Sequence, residues 1–152
     1  HKLPADIHNK FDVCIITIGV LNWMPDLPSF FSAIGPLVKK GGKLVIYETH
    51  PFMEMFVPSD SDPFKTSVSY FSKAPFKCEE AIVYDGSEQK SAPSSYWFNH
   101  SLSDVINSSI NAGFSIVTIS EYGHSNREVD YDIYEGQDAQ IPMCFSLIAD
   151  KR

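Results

Sequence analysis

Apolar residues run almost unbroken from Val13 to Met24, and the β-branched part of that run, Val13-Cys14-Ile15-Ile16-Thr17-Ile18, does not alternate with polar positions. Such a run is the pattern of a strand covered on both faces in a parallel α/β sheet, and Gly19 ends it. After Pro25, the apolar residues Leu27, Phe30, Phe31, Ile34, Leu37 and Val38 fall at the spacing of one helical stripe. Asp26 suits its N-cap, Pro28 is tolerated in its first turn, and Gly35-Pro36 should tighten its last turn. Lys39-Lys40 then fit the negative end of the helix, and Gly41-Gly42 turn the chain into the next strand, Lys43 to Glu48. Strand, helix and strand in so short a length predict a right-handed parallel crossover.

The pattern changes between residues 51 and 100, where prolines and scattered aromatics replace any long period. Ala81-Ile82-Val83-Tyr84, the turn Asp85-Gly86 and Tyr96-Trp97-Phe98 suggest a hairpin. Fifty residues exceed an ordinary connection, so this stretch is expected to be a cap or lid inserted into a single domain of residues 1–152. Order resumes at Ser101-Leu102-Ser103-Asp104, a capping-box start to a helix whose buried face is Leu102, Val105, Ile106 and Ile110 and which Ala112-Gly113 close. Phe114 to Ser120 and Pro142 to Ala149 read as two final strands able to pair antiparallel. Between them, six acidic residues accompany Arg127 alone, the composition of a solvated loop.

Composition narrows the choice of partners. With 12 basic and 19 acidic residues the net charge is −7, which repels nucleic acid and anionic membrane surfaces rather than recruiting them. Cys14, Cys78 and Cys144 form no paired motif, so neither a disulfide framework nor a metal site is expected, and a reducing, cytoplasmic setting follows. The apolar runs fall short of the roughly 20 residues that span a bilayer, and no leader pattern opens the chain. Because the chain begins at His1 rather than Met, it reads as cut from something longer.

Taken in order, Phe11-Asp12-Val13, Gly19-Val20-Leu21, Trp23, Asp26-Leu27, Gly41-Gly42, Glu48, His50-Pro51, Ala112-Gly113-Phe114 and the stretch from Met143 to Ala149 resemble the C-terminal half of a class I (Rossmann-like) S-adenosylmethionine-dependent methyltransferase. The similarity runs over nearly the whole chain and rests on the order and spacing of motifs that are weak singly. It implies an α/β fold: a partial sheet of the family's strands four, five, seven and six, mixed parallel with a C-terminal antiparallel hairpin, plus the cap. It also implies methyl transfer from S-adenosylmethionine to a small-molecule acceptor. The chain departs from the family in having no glycine-rich loop of the G-x-G type after a first strand and no acid following it to hold a ribose. The expectation is therefore an inactive fragment that binds the cofactor very weakly. Without the family's first strand, residues 12–18 form a bare apolar edge, which predicts a homodimer joined there or an N-terminal stub folded over it. The alternative function is a non-catalytic interaction or dimerisation module of the same shape. A hydrolase or reductase lacks support, since neither G-x-S-x-G nor G-x-G-x-x-G occurs.

Ligands of open α/β sheets collect beyond the carboxyl ends of parallel strands, here Ile18-Gly19-Val20 and Glu48-Thr49-His50. The resemblance places Gly19, Val20 and Trp23 against the methionine portion of the cofactor, though Val20 and Trp23 equally suit a core. Glu48 and His50 at a strand mouth are of the type that accepts a substrate proton during methyl transfer; His50-Pro51 also suits a purely structural corner. His100 is a third candidate from the opposite side of the cleft, or else a group satisfying free amides at a helix start. Tyr70, Phe71, Tyr96 and Trp97 form either an aromatic lid or the insertion's own small core.

Overall fold

The computed structural model describes residues 3–80 and 91–152, excluding the side chains of Glu80, Ser91 and Ala92. Four strands form the main sheet in the order β1 (Phe11–Thr17), β2 (Val38–Thr49), β6 (Cys144–Lys151) and β5 (Phe114–Tyr122), and a hairpin pairs β3 (Phe76–Glu80) with β4 (Ser91–Trp97). β1 and β2 run parallel, with Cys14 opposite Leu44 and Thr17 opposite Tyr47. β6 lies antiparallel to both β2 and β5. The expected mixed α/β sheet with a closing antiparallel hairpin is thus present.

Two helices, α1 (Leu27–Ile34) and α2 (Leu102–Asn111), pack on one face of this sheet. Leu27 and Phe31 of α1 and Val105 of α2 join Ile16, Leu44, Ile46, Phe114, Phe145 and Leu147 in the main core. Burying side chains of this size contributes on the order of 1.5–3 kcal/mol each. The opposite face is open along β1: Val13 is 46% and Ile15 66% exposed. The strand expected to be covered on both faces is therefore a one-sided edge strand, because both helices lie on the face that Cys14 and Ile16 point to.

The helix ends show which local signals govern. Ser101 and Asp104 form a complete capping box: the Ser101 hydroxyl accepts from the Asp104 amide at 3.2 Å, and the Asp104 carboxylate accepts from the Ser101 amide at 2.9 Å. Asp26 precedes α1, but its carboxylate accepts from the Ser29 hydroxyl rather than from a backbone amide. α1 also ends sooner than its apolar spacing predicts. Gly35–Leu37 tighten into a 3-10 turn, and Val38 enters β2. Pro36 has no amide to continue the helix. Lys39 and Lys40 consequently lie in β2 rather than at a helix end, with Lys39 paired to Asp12 of β1 at 2.8 Å. Gly42 is packed too closely for a side chain, since a Cβ there would meet Val38 at 2.7 Å and the Asp12 carbonyl at 2.8 Å. In α2, Ile110 proves exposed, while Ser109 is buried and its hydroxyl donates to the Val105 carbonyl at 2.8 Å.

Residues 51–100 begin with a 3-10 turn, Pro51–Met55, and end in the β3–β4 hairpin. Tyr96 and Trp97 are in the returning strand as expected, but their partners lie at Phe76 and Lys77; the expected first strand, residues 81–84, and its turn fall outside the described residues. A second small core joins this region to the acidic stretch: Met53 and Phe56 pack with Tyr134 and Met143. The stretch from Glu121 to Gln140 is accordingly no simple solvated loop. It starts as the end of β5, forms a 3-10 segment at Val129–Tyr134 and buries Tyr134. Among the described residues, no helix is long and apolar enough to cross a membrane.

Candidate functional site

At the carboxyl end of β1 the chain turns through Gly19 at φ +85°, a left-handed conformation that glycine adopts without strain. The turn is pinned by Glu48 at the end of β2. One carboxylate oxygen accepts from the Gly19 amide at 2.6 Å and the other from the Leu21 amide at 3.1 Å. Glu48 is only 1% exposed. Burial pushes its carboxyl above the usual range, opposed by the backbone amides that point at it. With both oxygens accepting, Glu48 acts as a buried staple between the ends of β1 and β2.

The turn faces a cleft of about 230 Å³ lined by Ile18, Gly19, Trp23, Thr49, Asn126 and other residues of the 126–128 segment. Next to it lies a more apolar cleft of about 260 Å³, walled by Phe56, Phe76 and Tyr131. The two share Trp23, Trp97, Arg127 and Glu128. Trp23 and Trp97 meet edge to face with ring centres 5.5 Å apart. Their approach is fixed by the backbone beside them, where Phe98 donates to the Asn22 carbonyl at 2.8 Å and the Asn22 side chain donates back at 3.2 Å.

Behind these rings sits a buried ion pair. Arg127 Nη1 donates to Glu54 Oε1 at 2.7 Å, Trp97 Nε1 donates to Glu54 Oε2 at 3.1 Å, and Arg127 Nε reaches Glu128 at 3.3 Å. The guanidinium also lies 3.9 Å from the centre of the Tyr131 ring, a cation–π contact. Burial pushes Glu54 up against the pull of Arg127. For Arg127, burial pulls down, but Glu54, Tyr131 and Glu128 outweigh it and hold the guanidinium above its usual value. Both Glu54 oxygens accept hydrogen bonds, so the pair is charged. Burial pushes Tyr131 up to about 12, and its phenol stays protonated.

The structure brings Gly19 and Trp23 together in one cleft, whereas Val20 packs against the main core. His50 is buried with both ring nitrogens engaged: Nδ1 accepts from the Phe52 amide at 3.1 Å, capping the Pro51–Met55 turn, so Nε2 is the nitrogen that donates to Glu121, at 2.8 Å. Burial lowers its pKa, against the pull of Glu121. His100 donates through Nε2 to the Met24 carbonyl at 2.7 Å, and burial likewise lowers its pKa. It lines a separate polar cleft with Asp26, Lys73 and Asn99. Of Tyr70, Phe71, Tyr96 and Trp97, Trp97 is the one that lines these two clefts. Tyr70 accepts from the Leu102 amide at the start of α2, and Phe71 and Tyr96 are exposed. Glu54, Asn126, Arg127, Glu128 and Tyr131 escape the sequence reading. One signal was available: a single arginine among acids, far from other cations, is a natural partner for a buried carboxylate. No group of three or more His, Cys, Asp or Glu able to hold a metal occurs among the described residues.

No protein-family model and no curated protein matches the sequence. Solved structures do. A protein from Listeria monocytogenes assigned as an S-adenosylmethionine-dependent methyltransferase superposes with a TM-score of 0.65 at 12% identity, over 95% of this chain and 63% of that one. An S-adenosylmethionine-dependent methyltransferase from Mesorhizobium loti gives 0.56 at 15% identity, over 99% and 65%. Geranyl diphosphate C-methyltransferase from Streptomyces coelicolor gives 0.54 at 11%, over 95% and 48%. The chain spans less than two thirds of the length of each of these structures. It has, over part of their length, the mixed α/β fold of S-adenosylmethionine-dependent methyltransferases.

Proposed function

We propose that this chain forms one side of the active cleft of an S-adenosylmethionine-dependent methyltransferase acting on a small molecule. The observation that carries the reading is a cleft at the carboxyl ends of β1 and β2 that adjoins a second, more apolar one, with Trp23, Trp97, Arg127 and Glu128 lining both. Two adjoining compartments are what a donor and an acceptor need to be held in line, with water kept out.

The residues beside the Gly19 turn fit the methionine end of the donor. The Asn126 amide nitrogen is buried without a partner among the described residues, while its oxygen accepts from Thr49 at 3.0 Å. That leaves both N–H donors of the amide for a carboxylate next to a glycine turn. The group supplies an electrophilic methyl on a sulfonium; everything else asked of the protein is orientation, exclusion of water and removal of a proton. Gly19 lets the backbone approach closely, Glu48 fixes the turn, and the Trp23–Trp97 pair forms the wall between compartments. His50 and His100, each with a nitrogen committed to the fold, are assigned positioning roles. The acidic surface disfavours nucleic acid as acceptor, and the modest cleft favours a small molecule.

The test is transfer of isotopically labelled methyl from S-adenosylmethionine to a panel of small acceptors by the protein that bears this chain, beside calorimetry with S-adenosylhomocysteine. Asn126→Ala and Trp97→Ala should each lower transfer at least tenfold. Unchanged rates in both would refute the assignment of these clefts. The chain alone is expected to bind the donor product only weakly, and tight binding would refute its reading as a fragment.

A second reading, a dimerisation module, is favoured by the exposed edge of β1, where Phe11, Val13 and Ile15 face outward. An edge-to-edge homodimer through residues 12–18 would sediment as a dimer and revert to monomer in Ile15→Lys. A wild-type monomer at all concentrations refutes it.

A further inference from the structure

The charge and ring arrangement of the 260 Å³ cleft point to a class of acceptor, an inference that rests on the methyl-transfer reading. We propose that this cleft takes a small ring-bearing amine, bound as a cation, with Glu128 as its anchor.

Three charged side chains line the cleft among the described residues: Glu54, Arg127 and Glu128. Arg127 donates to both carboxylates, leaving an excess of one negative charge. Each Glu54 oxygen already has a donor, Arg127 on one and Trp97 on the other. Glu128 differs. One of its oxygens meets Arg127 Nε at a long 3.3 Å, its side chain is 35% exposed, and the other oxygen has no partner among the described residues. Glu128 also borders both compartments, the place where an attacking nitrogen has to lie.

The walls add the same preference. Trp23, Trp97, Tyr131, Phe56 and Phe76 line the cleft, and ring faces attract cations. Arg127 already exploits this on Tyr131, but Trp23 remains 38% exposed. An anionic acceptor would bring another negative charge to a cleft already in excess of it. In methyl transfer to such an amine, the ammonium proton passes to Glu128, and the freed nitrogen lone pair forms the bond to the methyl carbon. The carbon–sulfur bond breaks with its pair left on the neutral sulfur, and the proton on Glu128 goes on to solvent.

Both tryptophans of the chain, Trp23 and Trp97, line this cleft, so intrinsic fluorescence reports occupancy without any turnover. Three near-isosteric probes separate charge from shape: N-methylbenzylamine, benzyl methyl ether and phenylacetate. The amine should quench at concentrations about tenfold lower than the ether, with phenylacetate weakest, the size of preference expected where a cation meets rings and excess negative charge. Glu128→Gln should erase most of the amine's advantage while leaving ether binding unchanged. Equal or tighter binding of phenylacetate, or an amine advantage that survives Glu128→Gln, overturns the proposal. The two readings fail separately. Lost charge selectivity with intact methyl transfer to neutral acceptors removes only the amine. Amine selectivity in a protein that transfers no methyl group and binds no S-adenosylhomocysteine removes the methyl-transfer reading instead.

Discussion

Replacing Glu48 by alanine separates the two roles a carboxylate can have at the mouth of a strand. In the structure both its oxygens are spent on the Gly19 and Leu21 amides, at 2.6 and 3.1 Å, in a side chain that is almost wholly buried. Alanine leaves the buried Leu21 N–H and the half-buried Gly19 N–H without acceptors, and an orphaned buried donor costs roughly 1–3 kcal/mol, less where water can reach it as it can at Gly19. Part of that is offset because the cost of burying the carboxylate, the cause of its raised pKa, vanishes with it. The net loss should be about 2–4 kcal/mol. For a domain of this size each kcal/mol moves the midpoint of thermal unfolding by about 2–4 °C, so a drop on the order of 10 °C is expected. Circular dichroism melting measures it directly. If Glu48→Ala melted with the wild type while abolishing methyl transfer, the staple argument would be wrong and Glu48 would be a proton acceptor instead.

Other perturbations test neighbouring parts of the argument. Arg127→Ala strands the buried Glu54 carboxylate and should cost about 3–5 kcal/mol, whereas Arg127→Met with Glu54→Leu should recover most of it; urea unfolding of both variants decides. His50 titrates with a folded pKa below its ordinary value, from burial against the pull of Glu121. The unfolded chain therefore binds the proton first, and stability is full above about pH 6.5 and lost as pH falls towards the folded pKa. His50→Asn keeps an acceptor for the Phe52 amide but cannot titrate, so the stability gap between wild type and variant should shrink as pH drops from 7 to 5; a constant gap contradicts the linkage. Ser101→Ala removes one half of the capping box and should cost about 1 kcal/mol, read from the melting midpoint; an unchanged midpoint contradicts the capping role.

What the sequence revealed and what it concealed follow from the range of the forces involved. The β1–α1–β2 order and the closing β5–β6 hairpin could be read because burial acts through local periodicity, and the Ser101–Asp104 box because its two hydrogen bonds span three residues. The end of α1 was misplaced for a related reason: Leu37 and Val38 keep helical spacing, but Pro36 cannot supply the amide that the next turn requires, and that veto outranks the stripe. The bare edge of β1 is legible from the sequence, but its open face is not, because a continuous apolar run records what a strand is built to touch, and the placement of both helices is what shows that its Val13 and Ile15 side is bare.

The cleft was harder to see, because its parts are brought together from positions 23, 54, 97 and 127 by packing alone. Trp23 was singled out by a motif and Trp97 by its neighbours, yet neither suggested the other. By composition Arg127 reads as the odd cation of a solvated acidic loop, but burial argues otherwise. A carboxylate as enclosed as Glu54 has to find a partner or lose its charge, and an arginine beside aromatics is well suited to follow it inside. Once that pair forms, Tyr131 and Trp97 close over the guanidinium, and the segment from Asn126 to Glu128 becomes a wall shared by two compartments. Long-range pairing of this kind has no periodic signature. Its trace in the sequence is the isolated charge of opposite sign, a residue whose surroundings give it no local reason to be there.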